Sequence, residues 1–257
     1  MFGMRSSHVR RNRDEGEKPF WISYSDLMTA LMVLFLVVMS VSLLIITKEL
    51  LKRQESLEAV KVEMDSLKAR RDERARAISQ VMDRLKKVAD DQFGGQVRVS
   101  HARLAIDFGE RARFTSADYH LSSDDKELLR AFLPFLLSAV DSQDGRKWFR
   151  RVVVEGFTDT DGSYLYNLDL SLKRAQSVVC ALMEESEPPI QGLTQKQKQR
   201  VRDLFLVGGF SFNSAKASKA ESRRIELRLE FQRLDEEEDG ETTGVAKPVE
   251  IGTCQMD

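Results

Sequence analysis

Asp26 is the residue whose setting asks for chemistry. It lies in FWISYSDLMTALMVLFL, residues 20–36, and between Phe20 and Ile46 it is the one charged residue. An ionised carboxylate inside a span costs roughly 2.5–3.5 kcal/mol on insertion scales and marks an ion path or a pairing within a helix bundle. Protonation removes that charge, which is what a proton carrier needs. Ser23, Thr29, Ala30, Val33 and Val37 fall near its face at helical spacing. That stripe is small enough to admit a second helix. On physics alone two readings stay open, a proton carrier and a structural Asp paired to a neighbouring subunit.

No catalytic constellation accompanies it. The chain has no Ser/His/Asp order in suitable context, no P-loop and no dinucleotide fingerprint, so the reading is not an enzyme. Two cysteines, Cys180 and Cys254, and three histidines give no cluster with metal-ligand spacing. The cysteines could pair outside the cytoplasm, or remain two thiols with Cys180 on a helix face. With 40 basic and 41 acidic residues, the charge balance gives no argument for direct nucleic-acid binding.

The elements around Asp26 follow from patterning. About 20 apolar residues cross a bilayer core, and residues 20–46 exceed that. The apolar run is longer than that of a signal peptide and lacks a small-residue cleavage site, which predicts an uncleaved single-span anchor in a lipid bilayer. Trp21 and Tyr24 suit an interfacial belt. Before the span stand Arg5, Arg10, Arg11, Arg13 and Lys18, and after it Lys48, Lys52, Arg53 and Lys61. That bias barely favours a cytoplasmic N-terminus, and the orientation rests mainly on the C-terminal domain belonging outside.

Residues 47–93 predict a helical linker. With position a at Leu50, the a positions are Leu50, Leu57, Met64, Arg71, Ile78 and Leu85, and the d positions Arg53, Val60, Leu67, Arg74, Val81 and Val88. This is a heptad for pairing with a twin in a parallel homodimeric coiled coil, interrupted at Arg71 and Arg74. The other reading is an amphipathic helix lying on its own globular domain. Asp90, Asp91, Gly94 and Gly95 end the run.

Residues 94–232 predict an α/β sandwich with helices on one sheet face. QVRVS and RLAIDF read as short strands, and FGERARFTSADYHLSS as a loop. Ser122 or Ser123 caps a helix to about Val140. RRVVVEGF reads as a buried strand, TDTDGS as a turn, and Leu168 to Glu184 as an amphipathic helix. Pro188-Pro189 break the chain, Thr194 caps a helix to Leu204, and LFLVGGFS is a strand. In RRIELRLEF, Ile225, Leu227, Leu229 and Phe231 alternate with Arg224, Glu226, Arg228 and Glu230, the pattern of a half-buried strand. Residues 233–257 are acidic and low in aromatics, which predicts a flexible tail.

The stretch WISYSDLMTALMVLFLVVM resembles the transmembrane helix of MotB-type stator subunits. PFWISYSDLMTALMVLFLVVM resembles more closely still the B subunits of the Zorya anti-phage defence motors. That resemblance implies that Asp26 accepts the translocated proton, with protons the transported ion and no cofactor. It implies a homodimer inside a membrane ring subunit of the MotA, ExbB or TolQ kind (ZorA-like), in five copies. The protein is then a single-pass bacterial inner-membrane protein, with residues 1–19 cytoplasmic and the C-terminal domain periplasmic. Two alternatives remain, a flagellar MotB-type stator subunit and a passive cell-wall tether.

EGFTDTDGSYLYNLDLSLKRAQSV resembles the OmpA-like peptidoglycan-binding signature, and SRRIEL resembles that family's closing strand. The resemblance implies that Asp159 binds the amine of a diaminopimelate side chain and Arg174 its carboxylate. Tyr166, Asn167 and Leu170 then line the same groove, and Arg224 matches a second family arginine. Phe157 stands where the family has His, and Ser222 where it has Asn.

Overall fold

The computed structural model describes residues 18–109, 113–184, 192–234 and 252–254. The basic N-terminal segment before Lys18, the Pro188-Pro189 break and most of the acidic tail lie outside the described residues. Helix α1 spans Lys18–Phe93. The chain divides into two compact units, one through Leu67 and one from Lys68 onward.

In the first unit α1 shows apolar side chains on every side. Leu27, Leu31, Phe35 and Leu44 are all exposed, which suits a helix surrounded by lipid. Its length and composition are sufficient to cross a membrane. The Thr29 hydroxyl donates to the carbonyls of Ser25 and Asp26 at 3.0 and 2.9 Å. Ser40 donates to that of Leu36 at 2.7 Å. Hydroxyls are thus satisfied inside the helix, as a bilayer core requires. Farther along, Leu50, Leu57, Val60, Met64 and Leu67 are exposed, so half of the heptad seam is left uncovered among the described residues.

The second unit uses the other half of that seam differently. Ala77, Val81, Met82, Leu85 and Ala89 are buried in the domain's own core, and Ile78 packs against it. Phe93 meets Phe132 edge-on at 5.5 Å. Over residues 77–89 the expected pairing with a twin is therefore replaced by packing within the chain. The domain's core offers this face apolar partners, and Arg71 with Arg74 marks where the change occurs. Arg74 Nε donates to the Gln232 carbonyl at 2.6 Å.

Five strands form one sheet: β1 (Arg98–Ser100), β2 (Ala105–Asp107), β3 (Phe149–Gly156), β4 (Phe205–Gly209) and β5 (Ile225–Phe231). Their order is β1-β2-β5-β3-β4. Only β3 and β4 run parallel, joined through α4 (Tyr164–Met183) and α5 (Gln195–Leu204). α2 (Ser123–Val140) packs on α4. Ser122 caps α2 by accepting from the Asp125 amide at 3.2 Å, and Thr194 and Gln197 form a capping box on α5. Two short helices were not legible in the sequence, α3 (Gln143–Trp148) and α6 (Lys219–Ser222). Cys180 and Cys254 form a disulfide that fastens the chain end to α4.

β5 buries Ile225, Leu227, Leu229 and Phe231 as its alternation predicts. Its other face is less open than expected. Glu226 is only 2 % exposed, because Arg103 grips both its oxygens at 2.9 and 3.0 Å and Arg224 donates to it at 2.8 Å.

α4 lies very close to β3, and Gly156 permits the approach. A Cβ there would stand 1.9 Å from the Ser171 carbonyl oxygen and 3.2 Å from the Ala175 nitrogen, both backbone. Gly156→Ala must push α4 off the sheet. The expected loss is about 3 kcal/mol, typical of overpacking a tight core, read as a lowered thermal midpoint. An unchanged midpoint would show that α4 can slide freely.

Candidate functional site

The OmpA-like signature falls on the turn after β3 and the start of α4. The helix begins a turn earlier than its apolar pattern suggests, at Tyr164 rather than Leu168, because Ser163 caps it by accepting from the Tyr166 amide. Gly162 holds φ at +95° in the turn before it, a conformation that favours glycine. Asn167 is buried and donates to the carbonyls of Asp161 and Ser163 at 2.7 and 3.2 Å. It therefore braces the turn. Leu170 is buried against the domain, and Tyr166 is half-exposed beside Gly162.

Asp159 is 6 % exposed. One carboxylate oxygen accepts from the Asp161 amide at 3.0 Å, the other from Arg223 Nη1 at 2.8 Å. Burial alone would raise its pKa. The hydrogen bond and charge of Arg223, with the Asp161 amide, outweigh burial and hold it below the ordinary carboxylate value.

Arg174 is 0 % exposed. Its guanidinium donates to three backbone carbonyls: Nε to Asp118 at 2.8 Å, Nη1 to Phe157 at 2.9 Å and Nη2 to Thr115 at 3.1 Å. It also lies over the Phe114 ring, 4.8 Å from its centroid. Desolvation lowers its pKa to about 10, against the pull of the Asp159 charge.

Arg224 is placed elsewhere. It stacks on Phe157 at 4.0 Å and pairs with Glu226, so its side chain belongs to the sheet's charged face. The arginine that meets Asp159 is its neighbour Arg223, which sequence reasoning missed. The RRIELRLEF alternation held the signal: it set Arg224 on the face of Glu226 and Arg228, which leaves Arg223 for the other side. Phe157 fills the family His position, with its ring 4.0 Å from the Arg224 guanidinium and 5.5 Å from the Phe210 ring. Ser222 ties the preceding loop by accepting from the Lys216 amide and donating to the Ser218 carbonyl, each at 2.8 Å.

Asp26 sits on the exposed apolar part of α1, and the Thr29 hydroxyl beside it is spent on backbone carbonyls. Its carboxylate is thus set in a membrane-compatible surface without a bond from that neighbour.

Comparison with known proteins decides the family. Residues 5–49 match the family described as membrane MotB of the proton-channel complex MotA/MotB, and residues 114–200 match the OmpA family. The chain is 42% identical over 239 residues to the Zorya protein ZorB of Escherichia coli O139:H28, covering 93% of this chain and 91% of that one. The chain belongs to the ZorB family. The chain is similar in structure to a MotB-like protein from Desulfovibrio vulgaris, at 14% identity and a TM-score of 0.40, covering 62% of this chain and 96% of that one. The cell-wall anchor of the type VI secretion system from Pseudomonas aeruginosa is similar at 23% identity and a TM-score of 0.36, covering 59% and 97%. As a ZorB homologue the chain is a MotB-like stator subunit with an OmpA-like domain, and neither family is one of enzymes.

Proposed function

We propose that this ZorB-family chain is the wall-anchored B subunit of a proton-driven inner-membrane motor acting in anti-phage defence. The observation that carries the reading is Asp26, the lone acid of the apolar part of α1, inside the region that matches MotB of the proton channel. Two chains side by side would each present Asp26 to a MotA-like ring of five copies. The exposed seam of Leu50, Leu57, Val60, Met64 and Leu67 supports that pairing, and limits the coiled coil to the stretch before the domain. Moving one charge through the membrane potential is worth ~2.3 kcal/mol per 100 mV. The N-terminus would lie in the cytoplasm and the domain in the periplasm, where disulfides persist. The Cys180–Cys254 bond fits that placement.

The domain would hold peptidoglycan through the zwitterionic end of diaminopimelate, with its ammonium on Asp159 and its carboxylate toward Arg174. Co-sedimentation of the full chain with isolated peptidoglycan sacculi tests this half. Loss of a charged hydrogen bond costs ~1.5–3 kcal/mol, so Asp159→Asn should weaken binding roughly 10- to 100-fold. The depressed carboxyl sets the pH window. Asp159 stays charged above its unfolded value of about 3.9, so its contribution is fully present from pH 7 down to 5. It is lost as pH falls through the lower folded value. Undiminished binding by Asp159→Asn, or loss already at pH 6, would remove Asp159 from the groove.

A further inference from the structure

Both poles of the groove are already occupied by the chain itself. Asp159 carries the Arg223 guanidinium. Arg174 carries the carbonyls of Thr115 and Asp118, oxygens in the role a carboxylate would take. The two occupants are one assembly. Arg223 Nε donates to the Phe114 carbonyl at 3.0 Å, and the Phe114 amide donates to the Arg223 carbonyl at 3.2 Å. Within the segment, Ala117 holds φ at +60°, a strained conformation for a residue with a Cβ. Beside Asp159, the Thr158 hydroxyl is buried without a hydrogen-bond partner among the described residues, a cost that folded proteins rarely leave standing.

We propose that Phe114–Asp118 together with Arg223 is an internal ligand of the groove, so that wall binding is an exchange rather than an addition. Arg223 stands in for the incoming ammonium, and the Thr115 and Asp118 carbonyls for the incoming carboxylate. This inference rests on the groove reading above. The exchange has a chemical direction. A carboxylate on a guanidinium makes a charge-assisted, bidentate contact that neutral carbonyls cannot match. An ammonium on Asp159 only replaces one cation by another. The ligand's gain therefore lies at Arg174 and its main competitor is Arg223. A site open for only a fraction of the time binds more weakly by that fraction.

Titration of the full chain in detergent with meso-diaminopimelate, followed by calorimetry, tests the exchange. Arg223→Gln removes the competing charge while keeping a donor for the Phe114 carbonyl, and should tighten binding roughly 5- to 20-fold. Equal or weaker binding by Arg223→Gln overturns the internal-ligand proposal. A second measurement needs no variant: hydrogen exchange of the wild-type chain. Saturating diaminopimelate should speed exchange at the amides of residues 114–118, since the segment is displaced. Slower or unchanged exchange there shows a ligand added on top and likewise overturns the proposal. Asp159→Asn separates the two levels. If it abolishes binding while Arg223→Gln does not tighten it, the groove stands and the exchange falls. If it leaves binding intact, both fall.

Discussion

Asp26→Asn should reduce phage protection to the level of cells lacking the system, with the protein still made and still bound to the wall. The substitution is close to isosteric, so what it removes is the ability to take up and release a proton. Little else changes locally. The hydroxyl of Thr29 is bonded to the Ser25 and Asp26 carbonyls, and α1 carries apolar surface on every side around the position. A structural Asp predicts a different pattern: Asn keeps hydrogen-bonding capacity for a neighbouring subunit, so assembly and function would survive largely intact. Proton transfer admits no such rescue, because each event draws on the membrane potential through the charge itself, ~2.3 kcal/mol per 100 mV. Plaque counts on cells with matched expression, read beside co-sedimentation with sacculi, settle the matter. Retained protection at normal expression sinks the motor reading. Lost protection with lost wall binding instead points to a misfolded chain.

What could be read in advance depended on whether it lived in side-chain pattern or in backbone placement. The alternation of β5 announced its buried face, and the Thr194 and Ser122 caps announced α5 and α2, since each is a local rule written in residue types. The heptad run announced an apolar helical stripe. It could not announce the partner, because the same a and d positions serve a twin helix or the chain's own core equally well. Burial of Val81 and Leu85 in the domain, with Leu57 and Val60 left exposed, is a tertiary choice. The groove shows the same divide. Asp159 and Arg174 stood out by motif, whereas the partners of Arg174 are carbonyls of Thr115, Asp118 and Phe157. A carbonyl is common to every residue and leaves no mark on a sequence.

That backbone setting gives Arg174 the second large effect. Arg174→Ala should destabilise the domain by about 3 kcal/mol before any ligand is considered. Three acceptors from two segments lose their donor, the buried Phe157 carbonyl being orphaned at a cost of ~1–3 kcal/mol, and the fully buried side chain leaves a void against Phe114. The sum is discounted because burying the guanidinium is itself costly, as its pKa of about 10 shows. For a domain of this size the thermal midpoint should fall by roughly 6–12 °C. Arg174→Lys should recover only part of the loss, since one ammonium on a flexible stem cannot span carbonyls that a planar fork reaches together. An arginine held chiefly for the ligand predicts the reverse: an unchanged midpoint for Arg174→Ala with binding abolished. Differential scanning calorimetry on the full chain separates the two. If the midpoint falls as expected, lost wall binding in Arg174→Ala says nothing by itself about contact with peptidoglycan. Asp159→Asn keeps the acceptor for the Asp161 amide and gives up the Arg223 ion pair, so with its own midpoint measured beside its binding it becomes the substitution that reports on the ligand.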